Sequence, residues 1–432
     1  MKLSWTLRLR SHSHPHPHPH PHPHLLPPSN KPLHIHNHIH TRSLFTKPTP
    51  KPHHDPLRIL FCGSEDFSIA SLRALHQEHL HSPSTIASID VVCRPPKRVG
   101  RGLKQKREVP IEAEARSLSL PIHEIDTFRD WTPPPTRDDH PINLVIAVSF
   151  GLFVPPRILY AAKYGGLNVH PSMLPDFRGP APLHNALLAG AKKTGVTLQT
   201  LHPERFDQGT ILAQTPWPGF DIPNPHTCTV KQLLDYVSPK GAELLIHGLR
   251  ERLFLPPVRD MGWYTQSSSQ SQNPSDGVTI RTAPKITKED SHIDWTLWSA
   301  KEILRRNLVL GPLWSFAPLR ENLPSHTAAS LKRRIIFEDI SVVEREDEGL
   351  GLGNLDVPVG VPYVFVDTRD GGSQAVLVNT VDRRLVVVER IKVEGERATG
   401  ARGASLKARL FKQPREGDRD GGECLTFYDQ LV

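Results

Sequence analysis

The sequence predicts an α/β fold, a parallel sheet with helices over both faces, followed by a small antiparallel β-barrel. Three observations lead there. Short, almost wholly apolar runs at 58–62, 86–93 and 142–150 are separated by stretches of helical spacing, and strands apolar on both faces belong to covered parallel sheets. At 264–277 the composition turns to Ser, Gln and Asn, "YTQSSSQSQNPSDG", which reads as a linker. Beyond it come short alternating runs between Gly- and Asp-rich turns, the pattern of a small barrel.

Taken in order, residues 1–54 carry seven Lys or Arg, no Asp or Glu, and a His-Pro alternation from His14 to His24. Such a segment buries too little apolar surface to fold. Its start, "MKLSWTLRLR", is amphipathic, Arg-containing and acid-free, as a mitochondrial presequence is. The expected destination is the matrix. A secretory signal needs an apolar run of about 7–15 residues, and none is present. The His repeat can be a metal-binding tract or a plain low-complexity spacer.

The catalytic domain is expected over 55–263. "RILFC" at 58–62 is its first strand, with a turn at Gly63 and a helix carrying Phe67, Ala70, Leu72 and Leu75. Strands follow at 86–93, 142–150 and 196–201, with helices at 110–119, 182–191 and 230–249. The first strand-to-helix turn, "FCGSEDF", is not GxGxxG, and no GxxxxGK[ST] occurs. Neither a dinucleotide nor a nucleoside triphosphate is indicated there. After a linker at 264–280, the C-terminal domain, 281–432, shows a helical patch at 295–308. Alternating runs follow at 334–343, 362–366, 375–378 and 385–393, with loops expected at 344–355 and 414–422. Trp295 and Trp314 are expected in its core.

Subtracting the seven leader charges from the formal +8 leaves about +1, so any case for nucleic acid rests on local clusters. One such cluster joins Arg94, Lys97, Arg98, Arg101, Lys104, Lys106 and Arg107, opposed only by Glu108. It is either a solvated loop or a phosphate contact. Arg390, Lys392 and Arg397 are weaker candidates of the same kind, and their alternation equally suits the wet face of a strand. Cys62, Cys93, Cys228 and Cys424 lie far apart without CxxC spacing, as free thiols of a reducing compartment do. The longest apolar run, 144–156, is shorter than the roughly 18 residues of a membrane span. A soluble monomer without a membrane anchor is expected.

Chemistry concentrates in "GLNVHPSMLPDFRGPAP", 166–182. Asn168 and His170 are two apart at a strand end, so both side chains leave one face, at the sheet edge where ligands bind in open α/β folds. An amide donor beside an imidazole can polarise a carbonyl and exchange a proton. Alone, the pair reads equally as a turn cap and a structural His. Asp207, in a turn after another apolar strand, supplies a carboxylate able to orient His170. An amine attacking an acyl carbon needs such parts, a donor for the developing oxyanion and a base for the amine proton. No GxSxG elbow competes.

"NVHPSMLPDFRGPAP", "FDQGTIL" and "SFGLFVPP" together resemble the folate-dependent formyltransferases. The resemblance implies a Rossmann-like parallel-sheet domain, a small OB-like barrel after it, and 10-formyltetrahydrofolate as formyl donor without a metal. It implies a catalytic trio of Asn168, His170 and Asp207, the first two on the formyl oxygen and Asp207 tuning His170. It puts a folate pocket at Phe150, Gly151, Leu152, His202, Pro203, Phe206 and Asp207, and an acceptor side at Ser172, Leu174, Pro175 and Arg178. Two further stretches resemble the members of that family that formylate initiator methionyl-tRNA. They are "RPPKRVGRGLKQKREVPIEAEA", an inserted basic loop with Arg94, Lys97, Arg98, Arg101 and Lys104 as tRNA contacts, and "APKITKEDSHIDWTLWSAKEI", the start of a tRNA-binding domain. The resemblance covers most of 57–411. Another formyltransferase or hydrolase acting on a small amine or water is the nearer alternative. An RNA-binding protein on a decayed scaffold is the farther one.

Overall fold

The computed structural model describes residues 53–136, 139–265, 279–318, 332–343, 359, 362–367, 373–395 and 399–400. The leader to residue 52, the Ser/Gln-rich stretch 266–278, Cys424 and the loops expected at 344–355 and 414–422 lie outside the described residues.

The chain opens with β1 (Leu57–Gly63), α1 (Asp66–His81) and β2 (Ile86–Cys93). A two-stranded hairpin, β3 (Lys97–Val99) and β4 (Gln105–Arg107), leads to α2 (Pro110–Ser117), β5 (Ile122–Glu124), β6 (Leu144–Val148) and α3 (Pro156–Ala161). Next come β7 (Gly166–His170), α4 (Pro182–Leu188), β8 (Lys193–Thr194), β9 (Thr197–Thr200), β10 (Ile211–Gln214), β11 (Phe220–Asp221) and α5 (Val230–Arg250). Seven strands form one sheet in the order β10-β9-β7-β6-β1-β2-β5, while β8 and β11 pair apart from it. From β5 to β7 all neighbours are parallel. The expected parallel sheet is modified at one edge, where β9 runs antiparallel to both β7 and β10.

Alternation along the strands explains why both faces need cover. Leu57, Ile59 and Phe61 of β1, with Ile146 of β6, enter a core beneath α1 and α5, whereas Leu60, Cys62, Val145 and Ala147 enter a second core shared with α3 and the 150–154 loop. Helix α5 is held at its start by a capping box between Thr229 and Gln232, which satisfies otherwise orphaned backbone donors. Gly241 lets this helix close on the sheet, since a Cβ there would stand 3.0 Å from the Phe67 ring and 3.2 Å from Val169. Cys62, Cys93 and Cys228 are buried free thiols, and burial pushes Cys93 up to about 12.

The later residues contribute α6 (Ala300–Leu310), β12 (Leu313–Pro318), β13 (Lys332–Val343), β14 (Pro362–Asp367), β15 (Ser373–Asn379), β16 (Leu385–Val393) and β17 (Thr399–Gly400). Their sheet is antiparallel, in the order β12-β13-β16-β15-β14 with β17 on β16, a half-barrel where the alternating runs predict a small antiparallel barrel. The helix starts later than expected, at Ala300, because the Ser299 hydroxyl accepts the Glu302 N–H and caps it there. Before that cap, Asp294 takes the N–H groups of Thr296 and Leu297 in a turn. Trp295 is in the core as expected. Trp314 is not; on β12 it is half-buried, its ring stacked 4.3 Å from His292. Helix α6 packs against α4, and its Val309 joins the core under the seven-stranded sheet.

No helix among the described residues is long and apolar enough to cross a membrane. Leu245 of α5 is fully buried in the larger core. Leu245→Ala is therefore expected to lower the unfolding free energy by about 2–5 kcal/mol in urea denaturation, as buried Leu truncations do. Lys231→Ala on the exposed face of the same helix should stay within about 0.5 kcal/mol.

Candidate functional site

Strand β7 delivers Asn168 and His170 at its carboxyl end, with Val169 between them turned into the core. Antiparallel pairing sets Asn168 opposite Gln199 and His170 opposite Thr197. Asn168 Nδ2 donates to the Ala147 carbonyl at 2.9 Å, and its Oδ1 accepts from Gln199 Nε2 at 3.0 Å. Gln199 is 1% exposed, and its own Oε1 accepts the Gly209 N–H at 3.2 Å. These bonds fix the Asn168 amide in one orientation. Its second N–H meets no acceptor among the described residues.

His170 is buried, and both ring nitrogens are engaged. Nδ1 lies 3.0 Å from Ser172 Oγ, which itself donates to the Asp176 carbonyl at 2.8 Å. A hydroxyl has one proton, so Nδ1 must be the donor to Ser172. Nε2 then faces two acceptors, the Gly179 carbonyl at 3.3 Å and Asp207 Oδ2 at 3.4 Å. A proton arriving at Nε2 finds both a carbonyl and a carboxylate ready to hold it. Asp207 itself adopts a left-handed backbone, φ 53°, which Asp tolerates better than most residues. The turn it opens closes at Gly209, where a Cβ would lie 1.6 Å from the Thr200 carbonyl.

Beside the trio is a cavity of about 450 Å³ whose wall includes Leu174, Pro175, Arg178, Gln199, Asp207 and Tyr264. Burial, and then a hydrogen bond to Asp260 at 2.8 Å, raise the Tyr264 phenol to about 12. It remains a donor at neutral pH. Arg178 has a buried Nε without a hydrogen-bond partner among the described residues. Thus Leu174, Pro175 and Arg178 share one wall, and Ser172 lies behind His170.

The residues expected around folate divide into two loops. Phe150 is buried, 5.9 Å from the Phe128 ring, while Leu152 is half-buried beside a neighbouring 350 Å³ cavity. Gly151 between them has φ 75° with open space where a side chain would project. Across from them His202 accepts the Glu204 N–H, Pro203 is half-buried, and Phe206 is exposed. Phe153, which the sequence reading passed over, bridges the loops by an edge contact to Phe206 at 5.1 Å. Leu152 and Phe153 line the 350 Å³ cavity, whereas Asp207 lines the 450 Å³ one.

The basic cluster is a hairpin rather than a loop. It follows β2 and so rises from the same edge of the parallel strands as the trio. Lys97 lies opposite Arg107 and Arg98 opposite Lys106, and like charges directly across a strand pair repel. Lys97, Arg98 and Lys104 are exposed; Arg101 occupies the turn at the tip, a short 3-10 helix. Arg94 stands apart from them at the base, 3.9 Å from Asp126. In the second sheet Arg390 is engaged by Glu338 at 3.3 Å and Asp339 at 3.7 Å, and Lys392 is exposed. Arg397 lies outside the described residues.

A family model described as formyl transferase matches residues 57–222. The mitochondrial methionyl-tRNA formyltransferase of Saccharomyces cerevisiae is 33% identical over 411 residues, 86% of this chain and 95% of that one. The chain belongs to the methionyl-tRNA formyltransferase family. The enzyme of that name from Cereibacter sphaeroides is 33% identical over 59% of this chain and 75% of its own. The mitochondrial one of Mus musculus is 32% identical over 60% and 58%. Among solved structures, HypX from Aquifex aeolicus in complex with tetrahydrofolic acid aligns over 82% of this chain and 47% of its own. Its TM-score is 0.41 at 18% identity, too low to carry an argument.

Gln199 is the polar residue that the sequence reading missed, because a lone Gln in an apolar strand carries no motif. Gln199→Met leaves two part-buried groups without this partner, the side-chain carbonyl of Asn168 and the Gly209 N–H. A fully buried unpaired group costs about 1–3 kcal/mol, so for these two together denaturant titration should record a loss within that range.

Proposed function

We propose that the protein transfers the formyl group of 10-formyltetrahydrofolate to the α-amine of methionine carried on initiator tRNA, in the mitochondrial matrix and without a metal. The observation that carries this reading is the trio itself, an Asn168 N–H that meets no acceptor among the described residues, beside a His170 Nε2 that faces Asp207. Family membership supplies the acceptor, and the acid-free leader agrees with relatives named as mitochondrial.

The donor's pterin lies between Gly151, Leu152 and the 202–207 turn in this reading, with Phe150 beneath it and His202, Pro203 and Phe206 at its rim. The donor supplies an electrophilic formyl carbon. Asn168 Nδ2 donates to the formyl oxygen as negative charge develops on it, a contribution that strengthens only in the transition state. His170 Nε2 receives the proton that the attacking amine must lose, and returns it to the donor nitrogen as the bond from that nitrogen to the formyl carbon breaks and tetrahydrofolate leaves. Asp207 stabilises the imidazolium so formed and holds the ring in the right orientation. Because Nδ1 already donates to Ser172, Nε2 is the only nitrogen able to take that proton. The acceptor amine enters along the wall of Leu174, Pro175 and Arg178.

The hairpin at the same sheet edge suits the acceptor stem. Its exposed Lys97, Arg98 and Lys104 relieve their mutual repulsion when phosphates lie between them. Arg94, already close to Asp126, contributes chiefly to the hairpin's footing.

The full chain without its first 54 residues, given formyl-folate and charged initiator tRNA, should yield formyl-methionyl-tRNA and leave small amines untouched. Release of formate alone would identify a hydrolase. His170→Ala and Asp207→Asn should each lower turnover by about 10²–10⁴-fold, the range for positioned acid-base groups, with tRNA affinity nearly unchanged. Near-normal turnover in either variant would remove that residue from the mechanism. Arg101→Glu should weaken tRNA binding, reduce its salt slope by about one, and leave folate binding alone; an unchanged slope returns the hairpin to a solvated surface element.

A further inference from the structure

The segment that leads into the second sheet is built into the loop that holds His170. Arg281 reaches Asp176 three times: its backbone N–H and Nε donate to Oδ1 at 2.9 and 3.2 Å, and Nη2 donates to Oδ2 at 2.5 Å. Its guanidinium also lies 4.0 Å over the Phe177 ring, and its carbonyl accepts the Phe177 N–H at 2.7 Å. Phe177 needs those contacts. It is buried with φ 53°, a left-handed conformation that is costly for a bulky side chain and persists only when its surroundings over-determine it. Two residues on, Ala283 donates to the Arg178 carbonyl at 2.7 Å and accepts from Ala181 at 3.3 Å. The Ala283 carbonyl would lie 2.4 Å from any Cβ at Gly179.

The loop so clamped carries one partner for each nitrogen of the imidazole. The Asp176 carbonyl accepts from Ser172, which accepts from Nδ1, and the Gly179 carbonyl faces Nε2. We infer that Arg281 is a positioning residue for the reaction. Through Asp176 and Phe177 it fixes the 172–179 loop, and through that loop the orientation of the His170 ring. Paired charges and a planar fork make the link directional, since a bidentate guanidinium-carboxylate contact defines an angle as well as a distance. The C-terminal part of the chain thereby completes the site it stands beside.

This inference rests on the formyl-transfer reading for its kinetic test, so a second readout is independent of activity. In the full chain, Arg281→Ala should lower kcat by roughly 10- to 100-fold, the penalty of a ~1 Å misplacement, with KM for charged tRNA unchanged. Asp176→Asn should do the same to a smaller degree, and the double variant should be no worse than Arg281→Ala alone. In parallel, the ¹⁵N chemical shifts of the His170 imidazole should move in Arg281→Ala while the rest of the spectrum remains that of the folded protein. Unchanged His170 shifts overturn the inference whatever the assay gives. So does a defect confined to KM, which would make Arg281 a tRNA contact instead. A wild-type chain that fails to formylate overturns the functional reading, and the imidazole shifts still decide the role of Arg281.

Discussion

The antiparallel pairing of β7 with β9 is the constraint on which the site depends. Parallel neighbours from β5 to β7 would have continued a uniform sheet, but reversing β9 sets Gln199 directly opposite Asn168. Because cross-strand neighbours on one face stand about 5 Å apart, the two amides meet and lock each other. The reversed strand starts beside His170 and ends beside Leu167 at the start of β7, and the 202–209 connection then brings Asp207 back to His170. One change of strand direction thus provides both the orientation of the donor and the partner of the base. A slip of one residue in this register would turn His170 to the opposite face.

Much of this was legible in the sequence, for reasons that differ by element. Continuous apolar runs such as the one in β1 announce strands covered on both sides, and the two separate cores reached by Phe61 and Cys62 are what that pattern requires. The direction of β9 was not legible, because "TLQT" buries its side chains equally well either way. The hairpin was hidden by its Lys and Arg content, which β-propensity disfavours and which only tertiary context rescues. Strand β12 was overlooked since "LWSFAP" follows Gly311 and Pro312 immediately and leaves Trp314 half in solvent. The trio could be named from spacing and resemblance together, yet its hydrogen-bond polarity could not. That polarity depends on Ser172 donating to a carbonyl four residues away. The Asp176–Arg281 contact spans 105 positions, and no local pattern marks it.

The buried polar groups around His170 form a chain with few degrees of freedom. Thr197 donates to the Ser172 carbonyl and accepts from Gln214, which also donates to the Leu174 carbonyl. Such networks are stiff when every member is satisfied and costly when one is not. Rigidity here is useful, since an acyl carbon must meet the amine, the oxyanion donor and the base within a few tenths of an ångström.

Self-opposed charges on the β3–β4 hairpin give salt two contrary effects at that edge. Lys97 against Arg107 and Arg98 against Lys106 make the empty ribbon a compressed electrostatic spring. Added ions relax it and also screen its attraction for a polyanion. The hairpin is therefore most securely folded under the conditions in which it grips least. At low ionic strength part of its affinity is the release of energy already stored within it.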